Sequence, residues 1–137
     1  MGFESYNFNL KTLSSIDKIQ IVNSFIKMGY SICEDDTLEK ALKSGFIEVQ
    51  VGQGYISIRT AKTNDESIIV EIIKDMNVLN DEIQIDAFDL QLKQKISLEQ
   101  HQEVISNFKL LHNEFKTYYP NTKSPIRCND IYREQGV

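Results

Sequence analysis

Apolar residues recur along this chain with two different periods, and the switches between them divide it into elements. In residues 4–10, Tyr6, Phe8 and Leu10 alternate with Ser5, Asn7 and Asn9, the period of a half-buried strand. Residues 16–28 change to helical spacing: Ile16, Ile19, Val22 and Ile26 form one stripe, Ser14 or Ser15 can cap it, and Gly29 ends it. "DDTLEKALKSG" predicts a second, short helix over 36–43. Asp35 or Asp36 would be its cap, Leu38, Ala41 and Leu42 would face inward, and Gly45 would stop it.

Strand spacing returns in "FIEVQVGQGYISIRT". Ile47, Val49 and Val51 share a face in 46–51, and Ile56, Ile58 and Thr60 share one in 55–61. Both apolar sets reach the same side of an antiparallel pair only if opposed residue numbers have an odd sum. A two-residue loop, Gly52-Gln53 or Gln53-Gly54, satisfies this, and one such register sets Glu48 opposite Arg59. The other face of this hairpin then carries Glu48, Gln50, Tyr55 and Arg59.

Residues 65–79 fit both periods. Thr63 with Glu66 makes a capping box, and Ile68, Ile69, Ile72, Ile73 and Met76 repeat as on a helix. Yet five of the seven residues from Ile68 to Lys74 are β-branched. The β reading is preferred, with a strand over 67–74 pairing Ile56 with Ile72, Ile58 with Val70 and Thr60 with Ile68. Over 82–92 the parity shifts between Ile83, Ile85 and Phe88, Leu90, Leu92, which predicts a β-bulge near Asp86-Ala87. A long helix over 98–118 follows. Ser97 and Gln100 form its capping box, and Val104, Ile105, Phe108, Leu111, Phe115 and Tyr118 form its apolar stripe. Beyond Pro120 an extended tail, 120–137, has Ile126, Ile131 and Tyr132 to dock it.

These elements predict one domain over 1–137, of α+β class: an antiparallel meander sheet packed by two N-terminal helices and a long C-terminal one. A chain of 137 residues can bury a core without staples. It has no run near the roughly 18 apolar residues of a membrane span. "MGFESYNFNLK" lacks a basic region followed by an apolar one, and Cys33 and Cys128 match no metal spacing. A cytoplasmic protein with reduced thiols is expected. Net charge is −5, but residues 34–89 hold 13 acids and 5 bases, so the middle of the chain is the acidic part. Such a field repels nucleic acid and suits a basic partner.

Candidate chemistry is sparse. Phosphate-binding glycine loops lead from a strand into a helix, whereas Gly52-Gln53-Gly54 leads into a strand. His101 and His112 lie about three helical turns apart, roughly 16 Å, too far to share a metal. Asp81, Glu82, Asp86 and Asp89 lack the glycine and spacing of a calcium hand. Asp36 followed by "EVQ" at 48–50 resembles a nuclease carboxylate pair, but Gln50 stands where that pattern has lysine. A metal-dependent nuclease is therefore the remote alternative, and no catalytic residue, cofactor or metal is expected.

The order of lone strand, helices, hairpin, further strands and long helix, with the acidic middle, resembles the small immunity proteins of contact-dependent and other polymorphic toxin systems of bacteria. That resemblance implies a non-enzymatic, cytoplasmic protein that binds and neutralises one cognate toxin domain, often a basic nuclease. The chain is also similar to type III secretion chaperones, which would imply a dimer holding an effector segment. The leading strand departs from that pattern, as does the strand reading of 67–74. An inhibitor of a cationic site needs carboxylates and a few aromatic anchors. The candidate partner-binding residues are Glu34, Asp35, Asp36 and Glu39 in one patch, and Asp81, Glu82, Asp86 and Asp89 in another. Tyr55 is a candidate anchor, as is Tyr30, which also reads as core.

Overall fold

The computed structural model describes residues 3–34 and 36–132. In chain order these form β1 (Ser5–Thr12), α1 (Lys18–Lys27), β2 (Ser31–Glu34), β3 (Thr37–Leu42), β4 (Gly45–Val51) and β5 (Tyr55–Ala61). Then come α2 (Ile68–Ile83), β6 (Ile85–Asp89), β7 (Gln94–Ile96), α3 (Gln102–Tyr118) and a 3-10 turn at Cys128–Asp130. The fold is α+β. Its seven strands make one antiparallel sheet in the order β2-β3-β4-β5-β1-β6-β7. Among the described residues, no helix is long and apolar enough to cross a membrane.

The β4–β5 hairpin has the register that parity demands. Val51 faces Ile56, Glu48 faces Arg59, and Gln53-Gly54 is the reversal, with Gly54 at φ +84°. Ile47, Val49, Val51, Ile56 and Ile58 are all buried on one side.

The sheet is not a simple meander. β1 lies in its interior, between β5 and β6. Tyr6, Phe8 and Leu10 face Thr60, Ile58 and Ile56, the positions the expected strand at 67–74 would have filled. With that edge taken, the chain after β5 must pass over β1 to reach β6. Both strands are antiparallel to β1 and so run the same way, and their connection needs a crossover element. Segment 68–83 is accordingly helix α2, not a strand. Ile68, Ile69, Ile72, Ile73, Met76 and Leu79 are buried at helical spacing, while Val70 is half exposed.

Three further expectations are corrected. The helix at 36–43 is strand β3, paired along its length with β4. Six residues offer little return on helix nucleation, and the neighbouring edge supplies a ladder. Its alternation was hidden because Lys40 stands on the inner side beside Leu38, where its ammonium reaches Asp75 at 3.1 Å. The bulge at Asp86-Ala87 is absent, for the β1–β6 register is unbroken from Phe8–Asp89 to Thr12–Ile85. Parity changes instead because Ile83 belongs to α2, and Leu90 and Leu92 to the turn after β6. Finally, α1 buries Ile21 and Phe25 and leaves Ile19 and Ile26 exposed, so its inward stripe is displaced from the expected one. Its N-cap is Asp17, whose N–H donates to the Gln20 side chain at 3.2 Å.

The core is one apolar layer between the inner sheet face and the three α-helices. Tyr6 packs edge-on against Phe108 of α3 at 5.3 Å, and Phe25 of α1 against Tyr30 at 5.1 Å. α3 starts at Gln102, later than expected. Ser97 Oγ accepts the N–H of Glu99 and of Gln100, so it caps the turn before the helix. The tail docks as a strap. Ile126, Cys128 and Ile131 are buried with Ala61, against Phe115 and Tyr119, while Tyr132 stays half exposed with its ring on Tyr119. Asn64, fully buried, pegs this strap: its amide gives to and takes from the Ile126 backbone at 3.0 and 2.9 Å, and also donates to Thr60. A Cβ at Gly45 would lie 2.3 Å from the Asn64 side chain, so a glycine there is what admits the peg.

Candidate functional site

Strand alternation that buries one set of side chains presents the other set on the outer face. The registers arrange this outer set in rows across the strands. One row runs Glu34, Thr37, Gln50, Ser57, Asn9 and Phe88. The next runs Ser31, Glu39, Glu48, Arg59 and Asn7. A third, at the hairpin tip, sets Tyr55 beside Lys11 and Lys11 beside Asp86. The first two rows, without their end residues Phe88 and Ser31, floor an open groove of about 640 Å³, bounded by Arg127 and Asn129 of the strap on one side and Leu90 on another.

The charges at the strap end of the groove are matched. Arg59 donates to Glu48 at 3.2 Å, and the other Glu48 oxygen accepts the Cys128 N–H at 2.9 Å. Arg127 grips Glu39 through Nε and Nη2 at 2.9 and 2.8 Å, with its guanidinium 4.1 Å from the centroid of Phe46. Those hydrogen bonds hold the Glu39 carboxyl below the usual carboxylate range. The central polar residues are less committed. Ser57 donates to Asn9 at 3.2 Å, and Gln50 is exposed. The groove therefore offers amide and hydroxyl groups in the middle and paired charges towards the strap.

The predicted binding residues fall differently from the two expected patches. Glu34 and Asp36 are exposed at the β2–β3 turn, with Asp36 paired to Lys18; Glu39 lies on the outer face. Asp35 lies outside the described residues. Asp86 is on the outer face too, paired with Lys95 at 2.9 Å, but β6 is four strands from β3, roughly 19 Å. Asp81 and Glu82 sit on the last turn of α2, and Glu82 meets Lys27 of α1 at 3.4 Å. Tyr55 is half exposed, with its ring folded onto Gly52.

One candidate is corrected as a surface group, and for Tyr30 the core reading holds. Asp89 is fully buried: it accepts the Tyr6 hydroxyl, and the N–H groups of Gln91 and Leu92 at 2.8 and 2.9 Å. Its side chain shapes the turn after β6 and is closed to a partner. Tyr30 is likewise core, 3% exposed, donating to Asp75 at 2.8 Å. Burial first, and then the neighbouring carboxylate, pushes both tyrosine hydroxyls above their ordinary range.

Sequence reasoning missed Arg127, because nothing local marks a tail arginine as the partner of Glu39. It also missed that Asn7, on the polar side of the first strand, would join the groove, because the interior position of β1 was unforeseen. Glu48, Gln50, Tyr55 and Arg59 were legible from the hairpin register alone. Among the described residues, no group of three or more His, Cys, Asp and Glu side chains is placed to hold a metal. His112 Nδ1 faces the Lys62 carbonyl at 2.8 Å, with its ring stacked on Phe108. Comparison with protein-family models finds no match to this chain, and comparison with curated proteins finds none either.

Proposed function

We propose that this chain is a non-enzymatic protein-binding domain that acts as a bacterial immunity protein. It binds one cognate, basic toxin domain and neutralises it, with the outer sheet face as the contact surface. The observation that carries this reading is the outer face itself. Helices seal one side of the sheet, and the other is left as an open groove floored by Asn7, Asn9, Gln50 and Ser57. Rows of hydrogen-bonding side chains at strand spacing suit recognition of another polypeptide surface, and the matched pairs Glu48–Arg59 and Glu39–Arg127 limit the desolvation cost of covering them.

Steering comes from elsewhere on the molecule. Acids lie around the groove and on α2: Glu34 and Asp36 at the β2–β3 turn, Asp81 and Glu82 at the end of α2, with Asp36 and Glu82 each paired with a lysine. A field of this sign speeds the approach of a basic protein, while the groove sets register on contact. The test is co-expression with the toxin encoded immediately upstream. The intact chain should rescue growth and form a stoichiometric complex. Gln50→Arg with Ser57→Arg should abolish both without unfolding the protein, since these side chains lie outside the apolar core. Failure of the intact chain to rescue contradicts the proposal.

A further inference from the structure

We infer that Glu39 and the ring of Phe46 form an arginine cradle, filled in the free protein by Arg127 of the chain's own strap, and that a partner's arginine takes the same place. This rests on the reading that the outer face meets a basic protein. Two groups define the cradle. The Glu39 carboxylate takes the flat edge of a guanidinium with both oxygens, and the Phe46 face covers its π surface at 4.1 Å. Edge-on bidentate pairing plus face stacking is a geometry that a guanidinium satisfies and an ammonium does not. Glu39 is held by β3 and Phe46 by β4, so the site belongs to the rigid sheet.

Its present occupant is replaceable. The Arg127 side chain is 47% exposed. The strap, moreover, is pegged on either side of Arg127 by bonds that do not use that side chain: Asn64 holds the backbone of Ile126, and Glu48 holds the N–H of Cys128. Arg127 can therefore swing out while the strap stays docked, leaving Glu39 free for an incoming guanidinium. The exchange gives Glu39 an equivalent guanidinium, so the carboxylate is not left buried and unpaired. What it confers is selectivity for arginine over lysine at one point of the partner.

The full-length chain carrying Arg127→Ala, titrated with N-acetyl-arginine amide and followed by NMR at the Glu39, Phe46 and Cys128 amides, tests this. The variant should bind with a dissociation constant about tenfold below that of the wild type, the lysine amide should bind several-fold more weakly, and adding Glu39→Gln should erase the gain. Arg127→Gln, which retains part of the side-chain stem, should behave like Arg127→Ala. Equal binding by wild type and variant, equal binding of the two amides, or a gain that survives Glu39→Gln overturns the cradle. Loss of fold in both Arg127 variants overturns it too, since the strap would then depend on that side chain. A toxin domain bound undiminished by Glu39→Gln removes the cradle but leaves the immunity reading standing. Arginine capture by a protein that rescues no cell does the reverse.

Discussion

The two faces of this sheet are built from the same strands and the same alternation, yet they solve different problems. On the inner face every polar group must find a partner inside the protein, because three helices exclude water. Lys40 and Tyr30 both donate to Asp75 there, and Tyr6 donates to Asp89 and accepts from Asn107. On the outer face the strap covers one end only, and Gln50 is left to solvent. The inner face is shaped by burial, and the outer face by what stays open to solvent. Substitutions should accordingly be costly on one and nearly silent for folding on the other.

The largest expected effect lies on the inner face. Phe108→Ala removes a fully buried ring from against Tyr6 and should cost about 3–5 kcal/mol in a denaturant titration. A value below about 1 kcal/mol would mean that α3 is not packed as described. The strap ranks next. Asn64→Ala removes the peg and leaves the backbone N–H and carbonyl of Ile126 without those bonds. It should cost about 1–3 kcal/mol, with faster hydrogen exchange at Ile126 and Cys128. Exchange unchanged there would show that the strap is held by its apolar contacts alone.

The outer face should yield the small effects. Ser57→Ala and Gln50→Ala are expected within about 0.5 kcal/mol of wild type. Arg127→Ala, which breaks a partly exposed pair, should cost less than about 1 kcal/mol at neutral pH. The pH dependence of that loss has a definite sign. The folded state lowers the pKa of Glu39, so its contribution is present above the unfolded carboxyl pKa and is lost as pH falls through the lowered folded value. Denaturation curves for wild type and Arg127→Ala should therefore differ at neutral pH and converge in acid. Curves that stay parallel into acid would mean that the Glu39 pair contributes nothing to stability.

What could be read in advance follows the same division between local and distant causes. The β4–β5 hairpin was legible because parity, a glycine-bearing turn and two apolar faces constrain one register, which also delivered the Glu48–Arg59 pair. Segment 68–83 carried both periods. What decided it was not local: β1, more than 40 residues earlier, takes the edge of β5 and forces a crossover. β3 was misread because its inner face includes Lys40, which reads as polar until Asp75 of α2 is placed beside it. In the candidate site, the half that lies on the hairpin was visible and the half that depends on chain closure was not. Glu39 could be named as an acid, but its partner Arg127 is 88 residues away. Asp89 was named as a surface acid because its burial depends on Tyr6 from β1.

Hydrogen exchange of this protein with and without the proposed toxin partner would locate the binding face. Binding through the outer face predicts new protection at the amides of the β2–β3 turn, the rim of β2, the hairpin tip around Gln53 and the strap from Arg127 to Asp130. The exposed turns of α1 and α2 should remain unchanged. Protection confined to α1 or α2, with the strap and hairpin exchanging as in the free protein, would contradict the account.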